Sequence, residues 1–343
     1  MLRDTLAKLS ELHGVSGVED EVRDYIIKEI KPYCDEVSVN STGSVIAFKK
    51  GRVTPENKIM LCAHMDEVGL IVTDIEEDTG LLKFATVGGI DARVLCGTPV
   101  RVGENKLPGV IGAKPIHLLE GDEFAKAPEV KSMYIDIGAM KKEEALQNVC
   151  PGDYAVFDTD FGQFGDGLLK GKALDDRAGC AVLMEILKRD LECDMYFVFS
   201  TMEEVGLRGA KCAAFSVAPD IAIVVESTTA ADIPGVDECS KVCKVGEGAV
   251  VSFMDRTTIY DRGLLKMVQR IANERGIKWQ FKKGVTGGND SGTIHNSRGG
   301  IRTSAVSLPC RYLHSPCGVI SENDLNAVCE LVHSLAEKAA VSK

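Results

Sequence analysis

Residues 58–66 read Lys-Ile-Met-Leu-Cys-Ala-His-Met-Asp. The apolar run from Ile59 to Ala63 is short and does not alternate with polar positions. That texture suits a strand buried on both faces, as in a parallel sheet. His64 then stands at the strand's C-terminal end. The arrangement recurs at Met195–Ser200, followed by Glu203 and Glu204, and at Ile221–Val225, followed by Glu226. In open α/β sheets, ligands bind outside the carboxyl ends of the strands. Three strands that deliver His, Glu-Glu and Glu to one edge predict both a fold class and the place of its site.

Working outward, helical spacing appears at Leu2, Leu6, Leu9 and Leu12, ending at Gly14. A second helix is expected after Ser16-Gly17, with Val18, Val22, Tyr25, Ile26 and Ile30 on one face. Val37 to Lys49 reads as a hairpin around Gly43. Further helices are expected over Asp175–Lys188, Glu204–Phe215, Leu264–Arg275 and Glu322–Ala340, with a strand over Thr303–Leu308. Between them, residues 68–164 change texture. Short β-like runs (Leu82–Val87, Pro99–Val102, Met133–Ile137, Tyr154–Phe157) are separated by Gly and Pro turns, and only Lys141–Asn148 reads as helix. The expected fold is α/β: a mixed sheet covered by helices on both faces, formed by residues 1–67 and 165–343 and interrupted by a β-rich domain at 68–164.

Composition narrows the function classes. A net charge of -11 argues against nucleic-acid or anionic-membrane partners. Twelve cysteines without a single Cys-x-x-Cys pair, several within apolar runs, fit free thiols in a reducing cytosol rather than disulfides or a zinc cluster. Met1–Ser10 lacks the apolar core of a secretory signal, so a cytoplasmic location is expected.

Each candidate residue has two readings. His64 is either a metal ligand or a capped core histidine. Asp66, two residues on, points the same way on an extended backbone and can fix the ring's tautomer. Asp175 and Asp176 precede an apolar-periodic helix, where aspartate caps and favours the dipole, yet a carboxylate there can also bridge two cations. Glu203 and Glu204 point in different directions. One can bind metal while the other addresses a water, or both can be first-turn helix residues. His314, after the last apolar strand, gains weight only from the set. His13 and His333 read as structural.

Together, Ala63–Gly69, Ala173–Gly179, Glu203–Ala210 and Arg311–Cys317 resemble the tetrahedral, dinuclear-metal aminopeptidases. These include glutamyl and deblocking enzymes and members once labelled endoglucanase, within the co-catalytic zinc exopeptidases. The resemblance implies two divalent ions per subunit, zinc or cobalt, or else manganese. Asp175 would bridge them, His64 and Glu226 would complete one, and Glu204 and His314 the other. Glu203 would be the general base, and the Asp175–Asp176 peptide would be cis. It further implies peptide substrates and homo-oligomers, dimers assembled into a hollow dodecamer. His117, Asn289 and Asp290 fall in motifs near the substrate or a neighbouring subunit. Two positions depart from the pattern: Glu226 where Asp is commoner, and Asn289 where Thr is common. The competing functions are a glycosidase and a degenerate peptide-binding scaffold. A glycosidase needs two carboxylates about 5–9.5 Å apart.

Overall fold

The computed structural model of the chain describes residues 2–342. Its main sheet has eight strands in the order Glu36–Val39, Val45–Lys49, Met195–Ser200, Ile59–His64, Ile221–Thr229, Arg302–Cys310, Ala249–Val251 and Trp279–Phe281. The four central strands from Met195–Ser200 to Arg302–Cys310 run parallel. Antiparallel neighbours flank them at Val45–Lys49 and Ala249–Val251. The hairpin at Gly43 forms as expected, with that glycine at φ 90°.

Alternation along the buried strands feeds two cores. Ile59, Leu61, Ala63, Phe197, Phe199, Ile221, Ile223 and Val225 pack on one face, beneath helices Leu2–Glu11, Asp20–Ile30, Leu174–Leu187, Arg262–Arg275 and Glu322–Ala340. Met60, Cys62, Val198, Ala222 and Val224 face the other way, against Ala210, Ala213, Ala214 and Val217 of helix Arg208–Val217. The sheet is therefore mixed and covered on both faces, as expected.

The insertion is a closed six-stranded barrel. Its strands run in the order Gly69–Ile75, Leu82–Val87, Tyr134–Asp136, Leu107–Gly112, Pro99–Val102 and Tyr154–Phe157, and the last pairs back onto the first. It has its own core of Leu70, Leu82, Val100, Val102, Ile111 and Ile135.

Several boundaries differ from expectation. The helix expected to start at Glu204 starts at Arg208, because Met202 and Leu207 take positive φ and the intervening residues form a loop. The second helix begins at Asp20, leaving Val18 exposed. His13 lies beyond the first helix, which ends at Glu11. Within Lys141–Asn148 only Lys142–Ala145 is α-helical.

A buried ionic clasp fixes the central strand's end. Arg177 is fully buried, and its Nε donates to the Met65 carbonyl at 2.7 Å. Its Nη1 donates to the Leu9 carbonyl at 2.6 Å, and Nη2 meets Glu67 Oε1 at 3.0 Å. Lys172 Nζ donates to both oxygens of Glu67, at 2.8 and 2.9 Å, and to the Leu12 carbonyl at 2.7 Å. Burial pulls the Lys172 ammonium down to about 8, against the pull of Glu67. The first helix, the loop after His64 and both flanks of Asp175 are thus tied at one point. Arg177→Met leaves the Met65 and Leu9 carbonyls and the Glu67 carboxylate short of a donor. Breaking a buried pair costs roughly 3–5 kcal/mol. Chemical denaturation at fixed protein concentration should show a loss of that size; an unmoved midpoint would contradict the clasp.

Candidate metal centre

His64 closes a strand, Glu226 lies within the strand Ile221–Thr229, Asp175 stands in the first turn of a helix, and Glu204 and His314 sit in loops. His64 is 2% exposed. Its Nε2 lies 3.4 Å from Asp175 Oδ1 and 3.4 Å from Glu226 Oε1. Asp175 begins the helix Leu174–Leu187, but its φ/ψ of -89°/109° are not helical, and its peptide bond to Asp176 is cis. The other oxygen of Asp175, Oδ2, lies 3.3 Å from His314 Nε2. That same Nε2 lies 3.2 Å from Glu204 Oε1. Asp175 therefore stands between two histidines, with Glu226 on one side and Glu204 on the other.

Asp176 was not foreseen as a ligand. Its side chain shares a corner with His64 and Glu226, their ligand atoms all within 4.8 Å of one another, and His64, Asp175 and Glu204 form a second such group. Asp176 Oδ1 accepts the Gly179 amide at 3.0 Å. A Cβ at Gly179 would lie 2.3 Å from Asp176 Oδ2, so glycine makes room for this carboxylate.

Asp66 does more than face His64. Its Oδ1 is 3.4 Å from His64 Nδ1, while its main-chain oxygen is closer, at 3.1 Å. The carboxylate accepts the amides of Glu203 and Glu204 at 3.0 and 3.1 Å and the Ser16 hydroxyl at 2.6 Å. It thus holds the glutamate pair in its loop. Burial would raise the Asp66 carboxyl, but His64, Ser16 and the Glu203 amide bring it below the usual range. His314, at φ 55°, places Nδ1 2.9 Å from the carbonyl of Gly89, a residue of the insertion.

The remaining candidates are not members of these two groups. Asn289 is buried; its Nδ2 donates to Tyr260 Oη at 3.0 Å and its Oδ1 accepts the Ser291 amide at 2.9 Å. Asp290 Oδ2 accepts the Ser200 hydroxyl at 2.5 Å, behind the strand ends. His117 is exposed on the short turn Ile116–Leu118 and makes no hydrogen bond or ion pair to the cluster among the described residues.

The electrostatics fit cations. Asp175 Oδ1, Asp176 Oδ2, Glu204 Oε1 and Glu226 Oε2 are buried and accept no hydrogen bond. Burying charge in this way is costly without pairing or metal. Burial pushes Glu226 up to about 8, raises Glu204, and raises Glu203 well above the carboxylate range. Burial alone would lower His314, but Asp175 and Glu204 lift it to about 11. Asp175 is driven down instead, since both rings outweigh its burial. The cluster thus keeps protons on its histidines and outer glutamates, and bound cations would displace them. Imidazole and carboxylate donors suit zinc, cobalt and manganese.

The M42 glutamyl aminopeptidase family matches residues 43–331. The chain belongs to that family. A protein of Acetivibrio thermocellus, provisionally named an aminopeptidase, is 42% identical over 336 residues, 96% of each chain. The TET aminopeptidase of a marine sediment Thaumarchaeota archaeon is 36% identical with a TM-score of 0.94, covering 98% of this chain and 96% of that one. The TET1 peptidase of Pyrococcus horikoshii can assemble into a tetrahedron or a large octahedral shell. It is 38% identical with a TM-score of 0.86, covering 98% and 99%.

This M42 protein is therefore a metal-dependent aminopeptidase, a hydrolase acting on peptide bonds, and its fold is that of the zinc exopeptidases with a β-rich insertion. No helix among the described residues is long and apolar enough to cross a membrane. Asp66→Ala leaves the Glu203 and Glu204 amides and the Ser16 hydroxyl without their acceptor, and His64 keeps only the main-chain oxygen of residue 66. Loss of such an outer partner costs about 10–100-fold in metal affinity. Competition against a chelator should register a fall of that order; unchanged affinity would remove Asp66 from this role.

Proposed function

We propose that the chain removes single residues from the N-termini of short peptides at a centre of two divalent cations. Zinc and cobalt are the first choices and manganese the third. Asp175 would be shared by both ions, His64 and Glu226 would hold one, and Glu204 and His314 the other. The observation that carries this reading is the position of Asp175 between two histidines, with buried oxygens on both sides that accept no hydrogen bond. The glycosidase alternative accounts for neither histidine.

When bound, the cations acidify an attacking water and polarise the scissile carbonyl. The chain's own groups do the rest. Glu203 is half-buried, and desolvation raises its carboxyl. It takes the proton from the water and returns it to the leaving amine, the exchange expected of a carboxyl tuned toward neutrality. Asp66 fixes the Glu203 amide, so the base stays beside the ligand Glu204.

Residues 1–67 and 165–343 form the catalytic domain in this proposal, and 68–164 the assembly domain. Tetrahedral or octahedral assembly, known for the Pyrococcus horikoshii relative, is proposed for this chain too. His117, exposed on the insertion, then faces a neighbouring subunit. A cytoplasmic location accords with its twelve free cysteines.

Glu203→Gln keeps size and the amide contact to Asp66 but cannot accept the proton. General acid–base catalysis contributes about 10²–10⁴-fold. Steady-state assays on peptides should show kcat reduced by at least that factor, with metal retained. Normal turnover in the variant would end this assignment.

A further inference from the structure

The metal cluster borders two clefts that share only Leu313 and His314. The first, of about 310 Å³, is lined by Asp175, Glu203, Glu204 and Glu226 against one lysine, Lys282. Three buried oxygens there, Asp175 Oδ1, Glu204 Oε1 and Glu226 Oε2, accept no hydrogen bond. The second, of about 520 Å³, is lined by Gly89, Asp91 and Val94 of the insertion and by residues 312–317. Its chemistry is different. Asp91 is its one carboxylate among the described residues, and Arg93 already holds it, with Nε 3.0 Å from Oδ1 and 2.8 Å from Oδ2. Val94, Tyr312, Leu313 and Pro316 give it an apolar lining.

The loop that carries Tyr312 is fixed at its base. Arg311 pairs with Val319 in both directions, at 2.9 and 3.1 Å, and its guanidinium donates to the two oxygens of Asp232 at 2.7 and 2.6 Å. Within the loop, Tyr312 takes φ 59° and His314 φ 55°. Bulky residues stay in that region only where their surroundings fix them, and such positions gather at functional sites. The turn leaves Tyr312 55% exposed on the cleft wall. His314 Nδ1 meanwhile reaches the Gly89 carbonyl at 2.9 Å, tying the two walls together.

An enzyme that removes one residue from a peptide must hold the chain on both sides of the scissile bond. The substrate's α-ammonium is drawn to the first cleft, where carboxylates outnumber the single lysine. The second residue then falls to the cleft that shares His314, where the one carboxylate is paired and an apolar side chain gains by leaving water. We infer that this cleft receives the substrate's second side chain and favours an apolar or aromatic one, packed against Tyr312. This rests on the two-metal reading above.

The test uses tripeptides Leu-X-Gly and Glu-X-Gly, with X as Phe, Gly, Lys or Asp, on the wild type, Tyr312→Ala and Val94→Asp. Seating an aromatic side chain in an apolar pocket corresponds to roughly ten- to hundredfold. The wild type should favour Phe over Gly by about that factor in both series. In Tyr312→Ala the Phe-to-Gly ratio of kcat/KM should fall about three- to tenfold, the size of one lost aromatic contact, chiefly through KM. In Val94→Asp the Lys-to-Phe ratio should rise about tenfold. A wild type indifferent to X, or one that favours Asp or Lys over Phe, overturns the inference. So does an equal loss on every X, which would make Tyr312 structural while leaving the two-metal reading intact. Unchanged ratios in both variants overturn it as well; if Val94→Asp then also gives a smaller particle by light scattering, the cleft belongs to a neighbouring copy of the chain. A wild type that releases no residue from any of these peptides would count against the two-metal site itself, and so against this inference.

Discussion

Too many carboxylates meet too few cations at the carboxyl edge of the central sheet. Asp175, Asp176, Glu203, Glu204 and Glu226 approach two imidazoles, with only hydrogen bonds and protons to offset their charge. Taking even one ion from water into a protein interior costs several kcal/mol. The chain accepts that arrangement because parallel strands end together, so side chains far apart in sequence arrive at one depth. Cations would relieve the crowding, and the carboxylates hold the His64 and His314 rings toward their protonated forms.

Keeping such a cluster open needs rigid support. Asp66 holds the Glu203–Glu204 loop, and the Glu67–Lys172–Arg177 clasp holds the loop that carries Asp66. Gly179 leaves space for Asp176, and the Gly89 carbonyl orients His314 from the barrel. The insertion therefore takes part in building the site. Donors on the support side are spent on carbonyls and carboxylates of the frame. Asp175 Oδ1, Asp176 Oδ2, Glu204 Oε1 and Glu226 Oε2, on the side of the cluster, are left without donors.

Much of this was legible in the chain itself. Strands buried on both faces gave apolar runs, and the residues after them were the candidate ligands His64, Glu204 and Glu226. Four ordered motifs supplied Asp175 and His314, which spacing alone left ambiguous with a helix cap and a loop histidine. The start of helix Arg208–Val217 was misplaced because side-chain acceptors from Asp66, 137 residues away, hold the preceding amides. Asp176, Ser16 and Gly89 were passed over for a related reason. Their roles lie in contacts across the fold, and no local periodicity marks them. Barrel closure was equally hidden, since Gly69–Ile75 and Leu107–Gly112 carry glycine and proline within short strands.

The account's central claim is that these carboxylates are arranged for two cations. Equilibrium dialysis of the chelator-stripped protein against zinc or cobalt, followed by metal analysis, tests it most directly. The predicted result is two ions per chain, with aminopeptidase activity rising as they bind. A folded protein that hydrolyses peptides after exhaustive stripping, or that saturates at one ion, would contradict it.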